Sequence, residues 1–319
     1  MSHAEPRRLL LTGASSGIGL EAAKQMAARG HQLTILCRNQ ARSDLTLQAL
    51  SGAAQTLICD LADLDAVRAT TDQLLARGWP LDALVLNAGL QYAGERQPRW
   101  SAQGIELTFA VNQLAHQVLA TALLPLMRAA SRPRVVITAS EVHNPASGGG
   151  KVGKPAGLGD LSGLHQGAGC PMLDGSPVFD GDKAYKDSKL CNVLLARELN
   201  RRLEGAIPVM AWSPGLVIAR DSGGFFRYSR QQNPLGMAAF AWVARDLLRL
   251  TESLPRAGAL LTALCLDDGI ATPGFSYRSN HLVRPGVHRF ELVDTSAEAT
   301  DLAKAAALWN GSEALLASL

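Results

Sequence analysis

The segment Tyr185-Lys186-Asp187-Ser188-Lys189 carries the residue types that best indicate chemistry in this chain. One turn of helix places the Tyr185 phenol and the Lys189 ammonium on the same face. A free tyrosine titrates near pH ~10 and is a poor proton source at neutral pH. A neighbouring ammonium favours the phenolate and lowers that pKa, so the pair predicts a general acid or base. The alternative is a tyrosine and a lysine that merely share the surface of an exposed helix.

A second motif, Thr12-Gly13-Ala14-Ser15-Ser16-Gly17-Ile18-Gly19, lies between an apolar strand and a helix. Its glycines permit a tight turn and let a pyrophosphate approach the helix N-terminus, where free N–H groups and the helix dipole favour anions. The Gly-x-x-x-Gly-x-Gly spacing is one residue longer than the better-known dinucleotide fingerprint. The motif predicts a cofactor turn that uses Gly13, Ser15, Ser16, Gly17, Ile18 and Gly19, with a purely structural turn as the alternative.

Further cofactor residues are expected where the following strands end. Arg38 follows the second strand, where NAD-selective sites usually carry an acid, and its planar cation suits a 2′-phosphate. This favours NADP(H), with a solvated arginine as the alternative. Asp60 and Leu61 follow the third strand and are expected near the adenine, although Asp60 also suits a helix cap. The remaining expected cofactor residues are Asn87, Ala88 and Gly89 after the fourth strand and Pro214 and Gly215 after the sixth.

Composition excludes several classes of function. The net charge is +3 and the basic residues are scattered, so nucleic-acid binding is not indicated. The five cysteines form no CxxC pair and the seven histidines show no metal spacing, so we predict a reducing, cytoplasmic environment and no metal. We find no signal peptide and no apolar stretch of the ~18 residues that an integral membrane segment needs. The apolar run Leu235–Val243 leaves peripheral membrane contact open, although a core helix is the plainer interpretation.

Short apolar strands alternate with helical segments, which predicts a parallel sheet covered on both faces. We therefore expect one α/β domain over residues 1–319, a Rossmann-type doubly wound fold with a seven-stranded, mostly parallel sheet. A glycine-rich insertion occupies 141–181 and a substrate-side segment occupies 216–256. Six strands are expected at Leu9–Leu11, Leu33–Cys37, Thr56–Cys59, Ala83–Leu86, Val135–Thr138 and Ile207–Trp212. The seventh is expected at Ala259–Leu266, and a helix is expected over Ser296–Leu316.

These motifs stand in the order found in short-chain dehydrogenases/reductases, which the chain resembles over nearly its whole length. The resemblance implies a sheet of seven strands and four catalytic roles. Tyr185 would exchange the proton, and Lys189 would hold the cofactor ribose and depress the tyrosine pKa. Ser140, at a strand end, would orient the substrate oxygen, and Asn112 would help to hold Lys189 through water. The family often pairs through the helices at Gly104–Ala130 and Asp182–Arg202, which implies a homodimer.

A narrower resemblance is to the light-dependent protochlorophyllide oxidoreductase family. It is carried by Gly159–Leu164, Phe179–Ala184, Tyr185–Asn192 and the long interval between Ser140 and Tyr185. That family reduces a ring double bond of a chlorophyll precursor with NADPH, and light drives the step. This chain departs from it after the sixth strand, where Ser213-Pro214-Gly215-Leu216 replaces Tyr-Pro-Gly-Cys. Ala219 also stands where many short-chain dehydrogenases use a threonine.

Two enzyme functions therefore remain, both with NADP(H) and an apolar small-molecule substrate. One is a reductase that resembles the light-dependent family, and the other is a light-independent carbonyl reductase or alcohol dehydrogenase for a bulky lipophilic substrate, similar to retinol dehydrogenases. A non-catalytic NADP(H)-binding protein is the third reading, which Asn112, Ser140, Tyr185 and Lys189 together disfavour. The expected walls of the substrate pocket are Leu90–Ala93, Val142–Asn144, Leu216 and Phe225–Phe240.

Overall fold

A single mostly parallel sheet organises the chain, as seen in the computed structural model, which describes residues 5–218 and 225–319. Its strand order is β3-β2-β1-β4-β5-β6-β7-β8. The first seven strands pair in parallel and β8 pairs antiparallel to β7. The strands are β1 Arg8–Thr12, β2 Gln32–Cys37, β3 Gln55–Ile58, β4 Ala83–Leu86, β5 Arg134–Thr138, β6 Val209–Ser213, β7 Phe275–Arg284 and β8 Val287–Leu292. The predicted doubly wound α/β fold is confirmed.

Helices follow most of the parallel strands. The first six are α1 Gly17–Ala28, α2 Gln40–Ala49, α3 Leu64–Arg77, α4 Leu107–Phe109, α5 Ala115–Ala122 and α6 Leu124–Arg128. The later six are α7 Ser162–Gln166, α8 Gly181–Arg202, α9 Arg227–Gln232, α10 Pro234–Ala241, α11 Leu254–Leu266 and α12 Leu302–Ser318. Two π-helical segments, Ala110–Leu114 and Trp242–Leu247, join α4 to α5 and extend α10. None of the helices in the described residues is both long and apolar enough to cross a membrane.

The sheet separates two apolar cores. Successive side chains of a strand point to opposite faces. Leu9 and Leu11 therefore pack with α1 and α11, whereas Leu10 packs with α3, α5 and α8. Burial on both faces explains the continuous apolar runs within β1, β4, β5 and β6 and why the sequence predicted them closely, whereas the edge strand β3 is half-buried to exposed.

The predicted seventh strand, Ala259–Leu266, is wrong, because these residues form most of helix α11. Ser253 caps this helix by accepting a hydrogen bond from the Arg256 N–H at 3.3 Å. The helix packs on α1 at Gly258, where an added Cβ would lie 2.6 Å from Glu21 Cγ. An apolar run of this length does not distinguish strand from helix, and the cap upstream was the signal that was missed.

The seventh strand is instead β7, and the sheet has eight strands rather than seven. β7 contains Arg278, Ser279, Asn280 and His281, so it lacks an apolar run that the sequence could reveal. β8 is an edge strand of mostly half-buried and exposed residues. Two expected helices also differ in detail, because Gly104–Ala130 is interrupted by the π-helical segment and the terminal helix begins at Leu302.

Helix α12 lies against the two helical regions through which the family resemblance implied a dimer. The Gln117 amide of α5 donates to the Trp309 carbonyl at 3.3 Å and to Glu313 at 3.0 Å. From α8, the Arg202 guanidinium donates to Asn310 at 2.9 Å and lies 4.6 Å from the centre of the Trp309 ring. The chain's own C-terminal helix therefore covers part of the surface that such a dimer would use.

The glycine-rich insertion is held by the helix that carries Tyr185 and Lys189. The Lys186 ammonium donates to the carbonyls of Gly150, Val152 and Lys154. Lys183 forms an ion pair with Asp187 at 2.6 Å, and Asp187 accepts a hydrogen bond from the Gly157 N–H at 2.9 Å. Apart from α7 and a short 3-10 turn at Glu141–His143, the described insertion has no helix or strand. Its order therefore depends on charged side chains of α8.

Candidate active site

The glycine-rich motif forms the turn between β1 and α1. Gly13 has φ +67°, and a Cβ there would lie 2.6 Å from Ala88 Cα. A Cβ at Gly19 would lie 2.4 Å from the Gly13 carbonyl oxygen. Gly17 has φ +56° but open space around it, which leaves room above the first turn of α1. The turn therefore fits the pyrophosphate cradle that the sequence predicted.

The turns after β1, β4 and β5 are joined by hydrogen bonds. Thr12 Oγ1 accepts from the N–H groups of Asn87 and Ala88, both at 2.9 Å. The Asn87 amide donates to the Thr12 and Gly13 carbonyls at 3.3 and 3.2 Å and accepts from Thr138 Oγ1 at 3.0 Å. The side chain of Asn87 is thus used to hold the glycine turn, while Asn87, Ala88 and Gly89 all line the cavity beside it.

At the opposite end of this cavity, Arg38 and Arg42 present two guanidinium groups. Arg38 is exposed and makes no ion pair within residues 5–218 and 225–319. Sequence reasoning missed Arg42, although its spacing from Arg38 was a usable signal. Asp60 and Leu61 also line the cavity. Asp60 accepts from the Ala62 N–H at 3.0 Å, and Asp63 rather than Asp60 caps helix α3.

Tyr185, Ser140 and Lys189 converge on the same cavity. Ser140 follows β5, and Tyr185 and Lys189 project from α8. The Ser140 hydroxyl lies beside the Tyr185 side chain and lowers the pKa of its phenol. The Lys189 ammonium lies 5.8 Å from the centre of the Tyr185 ring and donates to the Thr138 carbonyl at 2.8 Å. The arrangement can transfer a proton from the phenol to an acceptor that Ser140 orients.

Asn112 is buried in the π-helical segment and does not line this cavity. Its side-chain amide donates to the Leu90 carbonyl and to Ser188 Oγ, both at 3.0 Å, and accepts from the Leu90 N–H at 2.9 Å. Its main-chain carbonyl accepts from the Asn192 amide at 2.6 Å. Sequence reasoning expected a link from Asn112 to Lys189 through water and missed Asn192.

Burial dominates the protonation of the Tyr185–Lys189 pair. It raises the pKa of Tyr185 well above its usual value, and the neighbouring Ser140 hydroxyl opposes this rise. It also lowers the pKa of Lys189 from 10.5 to about 7. The sequence led us to expect a lowered tyrosine pKa, so the structure reverses that direction, because desolvation disfavours both charged forms. The phenol is consequently held in its protonated form.

The turn after β6 completes the site. Gly215 has φ +76°, and a Cβ there would lie 2.4 Å from the Asn280 carbonyl oxygen. The Asn280 amide donates to the Pro214 carbonyl at 3.2 Å, so β7 fixes this turn. Pro214, Gly215 and Leu216 line the cavity. Ala219 lies outside the described residues.

Comparison with known proteins decides the family. The model of the short chain dehydrogenase family matches residues 7–151. Protochlorophyllide reductase A of Oryza sativa subsp. japonica, named as chloroplastic, is 35% identical over 97% of this chain and 80% of that protein. The protochlorophyllide reductase of Avena sativa is 33% identical over 97% of this chain and 99% of that protein.

The chain belongs to the short-chain dehydrogenase family.

Solved structures share the fold of this chain. An uncharacterised protein from Mycobacterium Paratuberculosis has a TM-score of 0.67 and 26% identity, covering 97% of this chain and 92% of that one. Levodione reductase has a TM-score of 0.62 and 19% identity, covering 88% of this chain and 96% of that one. The family model ends within the glycine-rich insertion, whereas the similarity to protochlorophyllide reductases continues through the second half of the chain.

In this short-chain dehydrogenase the cavity has a volume of about 1280 Å³. Its substrate end is largely apolar, and the Phe225 ring lies 5.1 Å from the Tyr185 ring, centre to centre. The predicted wall residues that line it are Leu90, Gln91, Val142, His143, Asn144, Leu216, Phe225, Phe226, Arg227, Tyr228, Arg230 and Phe240. Met237, within the expected segment Phe225–Phe240, does not line the cavity.

The same end of the cavity carries polar groups that the sequence did not single out. Glu141, next to Ser140, faces His281 and His288, and burial raises the pKa of its carboxyl group. Tyr277, on β7, also lines the cavity. Within the described residues, no group of three or more His, Cys, Asp or Glu side chains is arranged to hold a metal ion.

Proposed function

We propose that this short-chain dehydrogenase is an NADPH-dependent reductase of a large apolar substrate, with Tyr185 as the proton donor. The observation that carries the proposal is that Tyr185, Ser140 and Lys189 open into the same cavity as the glycine-rich turn. Its volume of about 1280 Å³ exceeds the roughly 300–1,000 Å³ of an ordinary ligand pocket, and so has room for a dinucleotide and a second bulky molecule.

Tyr185, Ser140 and Lys189 have separate roles in the proposed reduction. NADPH, when bound, supplies the hydride. Tyr185, kept protonated by burial, gives its proton to the substrate atom that gains negative charge. Ser140 donates a hydrogen bond to the same atom and orients it. Lys189, whose ammonium is anchored on the Thr138 carbonyl, stabilises the phenolate that remains.

Replacement of Tyr185 by Phe tests this assignment. The variant keeps the ring that packs on Phe225 and loses only the hydroxyl. We expect turnover to fall at least about 100-fold with NADPH affinity unchanged, because a missing general acid typically costs 10²–10⁴-fold. Fluorescence titration measures the affinity. Full activity in Tyr185→Phe would remove the tyrosine from its role.

The choice of NADPH over NADH rests on Arg38 and Arg42. Two guanidinium groups at the adenosine end favour a 2′-phosphate through charge-assisted hydrogen bonds. Arg38→Asp should weaken NADPH binding and leave NADH binding almost unchanged. Arg29→Asp, an exposed change away from the cavity, is the control of equal charge. Equal affinity of the unmodified protein for the two cofactors would refute this choice.

For the substrate we put first the pigment named for the relatives, because the similarity to protochlorophyllide reductases spans almost the whole chain. The test mixes protein, NADPH and protochlorophyllide and records absorbance before and after a flash. A light-triggered red shift of the pigment band supports pigment reduction.

Leu216 favours a second candidate, the light-independent reduction of a bulky aldehyde or ketone. This apolar side chain lines the cavity where the resembling family carries a cysteine, and it cannot donate a proton. Dark oxidation of NADPH with retinal, and no binding of pigment, would support this candidate. NADPH binding without turnover on either substrate would instead support a non-catalytic protein.

The quaternary structure and the location are further proposals. A homodimer through α5 and α8 is disfavoured by the cover that α12 gives them, so we expect a monomer by light scattering. A cytoplasmic location stays a prediction from cysteine usage and would be tested by fractionation. The apolar, exposed α10 keeps peripheral membrane contact open, which vesicle sedimentation measures.

A further inference from the structure

The side-chain amide of Asn192 joins the Lys189 ammonium to the main-chain carbonyl of Asn112. Asn192 Oδ1 accepts a hydrogen bond from the Lys189 ammonium at 3.1 Å. Asn192 Nδ2 donates to the Asn112 main-chain carbonyl at 2.6 Å. Lys189, Asn192 and Asn112 are each at most 3% exposed. The path from Asn112 to Lys189 therefore runs through one amide group.

Asn112 is free to serve this path only through its main chain. Its side-chain amide is engaged with Leu90 and Ser188, as described above. The segment around it is π-helical, and the Ala115 N–H reaches back to the Ala110 carbonyl. This i+5 pattern shifts the backbone register inside the helix, a change often found at functional sites.

The amide can adopt only one orientation between these partners. A carbonyl oxygen must face the ammonium, which has no acceptor, and an N–H must face the Asn112 carbonyl, which has no donor. Lys189 thus has two of its three N–H groups fixed, by Asn192 and by the Thr138 carbonyl. Its third N–H has no acceptor among residues 5–218 and 225–319, and the ammonium lines the cavity.

We propose that Asn192 is a positioning residue, which fixes the Lys189 ammonium on the Asn112 carbonyl and aims its remaining N–H at the cofactor and Tyr185. This inference rests on the proposed reductase function. It assigns to a side chain of α8 the link that the family resemblance gave to water. An amide, unlike water, cannot pass a proton on, so Asn112 holds Lys189 without supplying protons to it.

The surroundings of Lys189 make its titration a clean readout. Two titratable groups face it in the described structure, Tyr185 on α8 and His116 on α5. The pKa of His116 is lowered to about 3, first by burial and then by Lys189, and the pKa of Tyr185 is raised by burial. With these pKa shifts, neither group should titrate between pH 5 and pH 9. Asp187 on the same helix has a pKa that burial raises to about 7, but it pairs with Lys183, so the transition is read on the Lys189 amine itself.

The test compares Asn192→Leu with Asn192→Asp in cofactor-free protein. The Lys189 amine is followed by ¹⁵N NMR across pH, with its signal assigned by Lys189→Met. Leucine removes the acceptor, so the lysine pKa should fall. Aspartate adds a buried opposite charge, so the lysine pKa should rise by at least about one unit. If Asn192 is only structural, the Lys189 pKa should change in the same direction in both variants. That result would overturn the proposal.

Activity supplies the second readout. If the protein reduces retinal or protochlorophyllide, Asn192→Leu should lower kcat by about 10- to 100-fold, as expected for a misplaced group near the reacting atoms. The upper limb of the pH–rate profile should move down in pH with leucine and up with aspartate. Asn200→Leu, on the same helix and away from Lys189, is the control and should change neither readout.

The two proposals fail in different ways. Absence of turnover in the unmodified protein, with opposite lysine shifts in the two variants, refutes the reductase function and leaves the position of Asn192 supported. Normal turnover with an unchanged lysine pKa in both variants refutes the role of Asn192 alone.

Discussion

The stability of the Lys189→Met variant should be compared with that of the unmodified protein at each pH. The difference in free energy of unfolding should favour the variant more at mildly acidic pH than at alkaline pH. Methionine keeps the length and the apolar stem of the side chain but removes the buried ammonium. Lys189 is 3% exposed, and burial lowers its pKa from 10.5 to about 7. Below pH 7 the buried Lys189 is protonated in the folded protein, and the cost of burying this ammonium destabilises the folded state relative to the unfolded one.

The magnitude follows from that pKa difference. The shift from 10.5 to about 7 is roughly 3.5 units, and at 1.36 kcal/mol per unit it corresponds to about 5 kcal/mol. The penalty is complete below pH 7 and disappears as pH rises from 7 to 10.5, because in that window the unfolded chain binds the extra proton. Between pH 6 and pH 10 the variant should lose about 4 kcal/mol of its relative stability.

A second effect does not depend on pH. Methionine leaves the Thr138 carbonyl and Asn192 Oδ1 without the hydrogen bonds that Lys189 donates. Each loss costs about 1–3 kcal/mol. The net change at a single pH is therefore smaller than the electrostatic part, and the difference between two pH values is the quantity to measure.

Urea unfolding at pH 6, 8 and 10 gives that difference. Lys24→Met is the control, because Lys24 is exposed on helix α1 and its removal takes away a charge that folding does not bury. The stability of this control should run parallel to that of the unmodified protein from pH 6 to pH 10. A Lys189→Met curve that runs parallel to that of the unmodified protein would refute the reasoning.

Three other changes test the cofactor turn, the insertion and the pocket. Gly13→Ala should reduce both thermal stability and NADPH affinity, because the added Cβ would lie 2.6 Å from Ala88 Cα. Gly17→Ala, in open space, should cost only the roughly 1 kcal/mol of a positive φ, and differential scanning fluorimetry compares the two variants. Lys186→Met releases three carbonyls of the insertion and should speed tryptic cleavage after Lys151 several-fold, seen by mass spectrometry; equal cleavage rates would argue against the anchor. Leu216→Cys should raise the yield per flash if pigment reduction is the function, and should leave a dark carbonyl reductase without any light response.

The sequence predicted best the strands that are buried on both faces. Leu9–Leu11, Ala83–Leu86 and Val135–Thr138 are apolar runs because helices cover each side of the sheet. β7 was not recognisable in the same way. It runs beside the cavity, and its polar residues, such as Ser279 and His281, line that cavity rather than a core.

The site shows the same division. The sequence revealed the glycine-rich turn and the Tyr185–Lys189 pair because each motif lies within one short segment of the chain. Asn192 was not selected, because its role depends on the Asn112 carbonyl, which only the fold brings near it. Arg42 was missed for a different reason, since its spacing from Arg38 was a signal already present in the sequence. The direction of the Tyr185 pKa was also out of reach, because burial depends on the whole fold and outweighs the nearby lysine.

The residues between Tyr185 and Lys189 connect the glycine-rich insertion to the helical turn that carries Tyr185, the proposed proton donor. Lys186 donates hydrogen bonds to three carbonyls of the insertion, and Asp187 accepts one from the Gly157 N–H. A molecule that displaces the insertion must therefore also displace the helical turn that positions the Tyr185 phenol. If Tyr185 donates the proton as proposed, shortening this loop should lower turnover more than it lowers the stability of the fold.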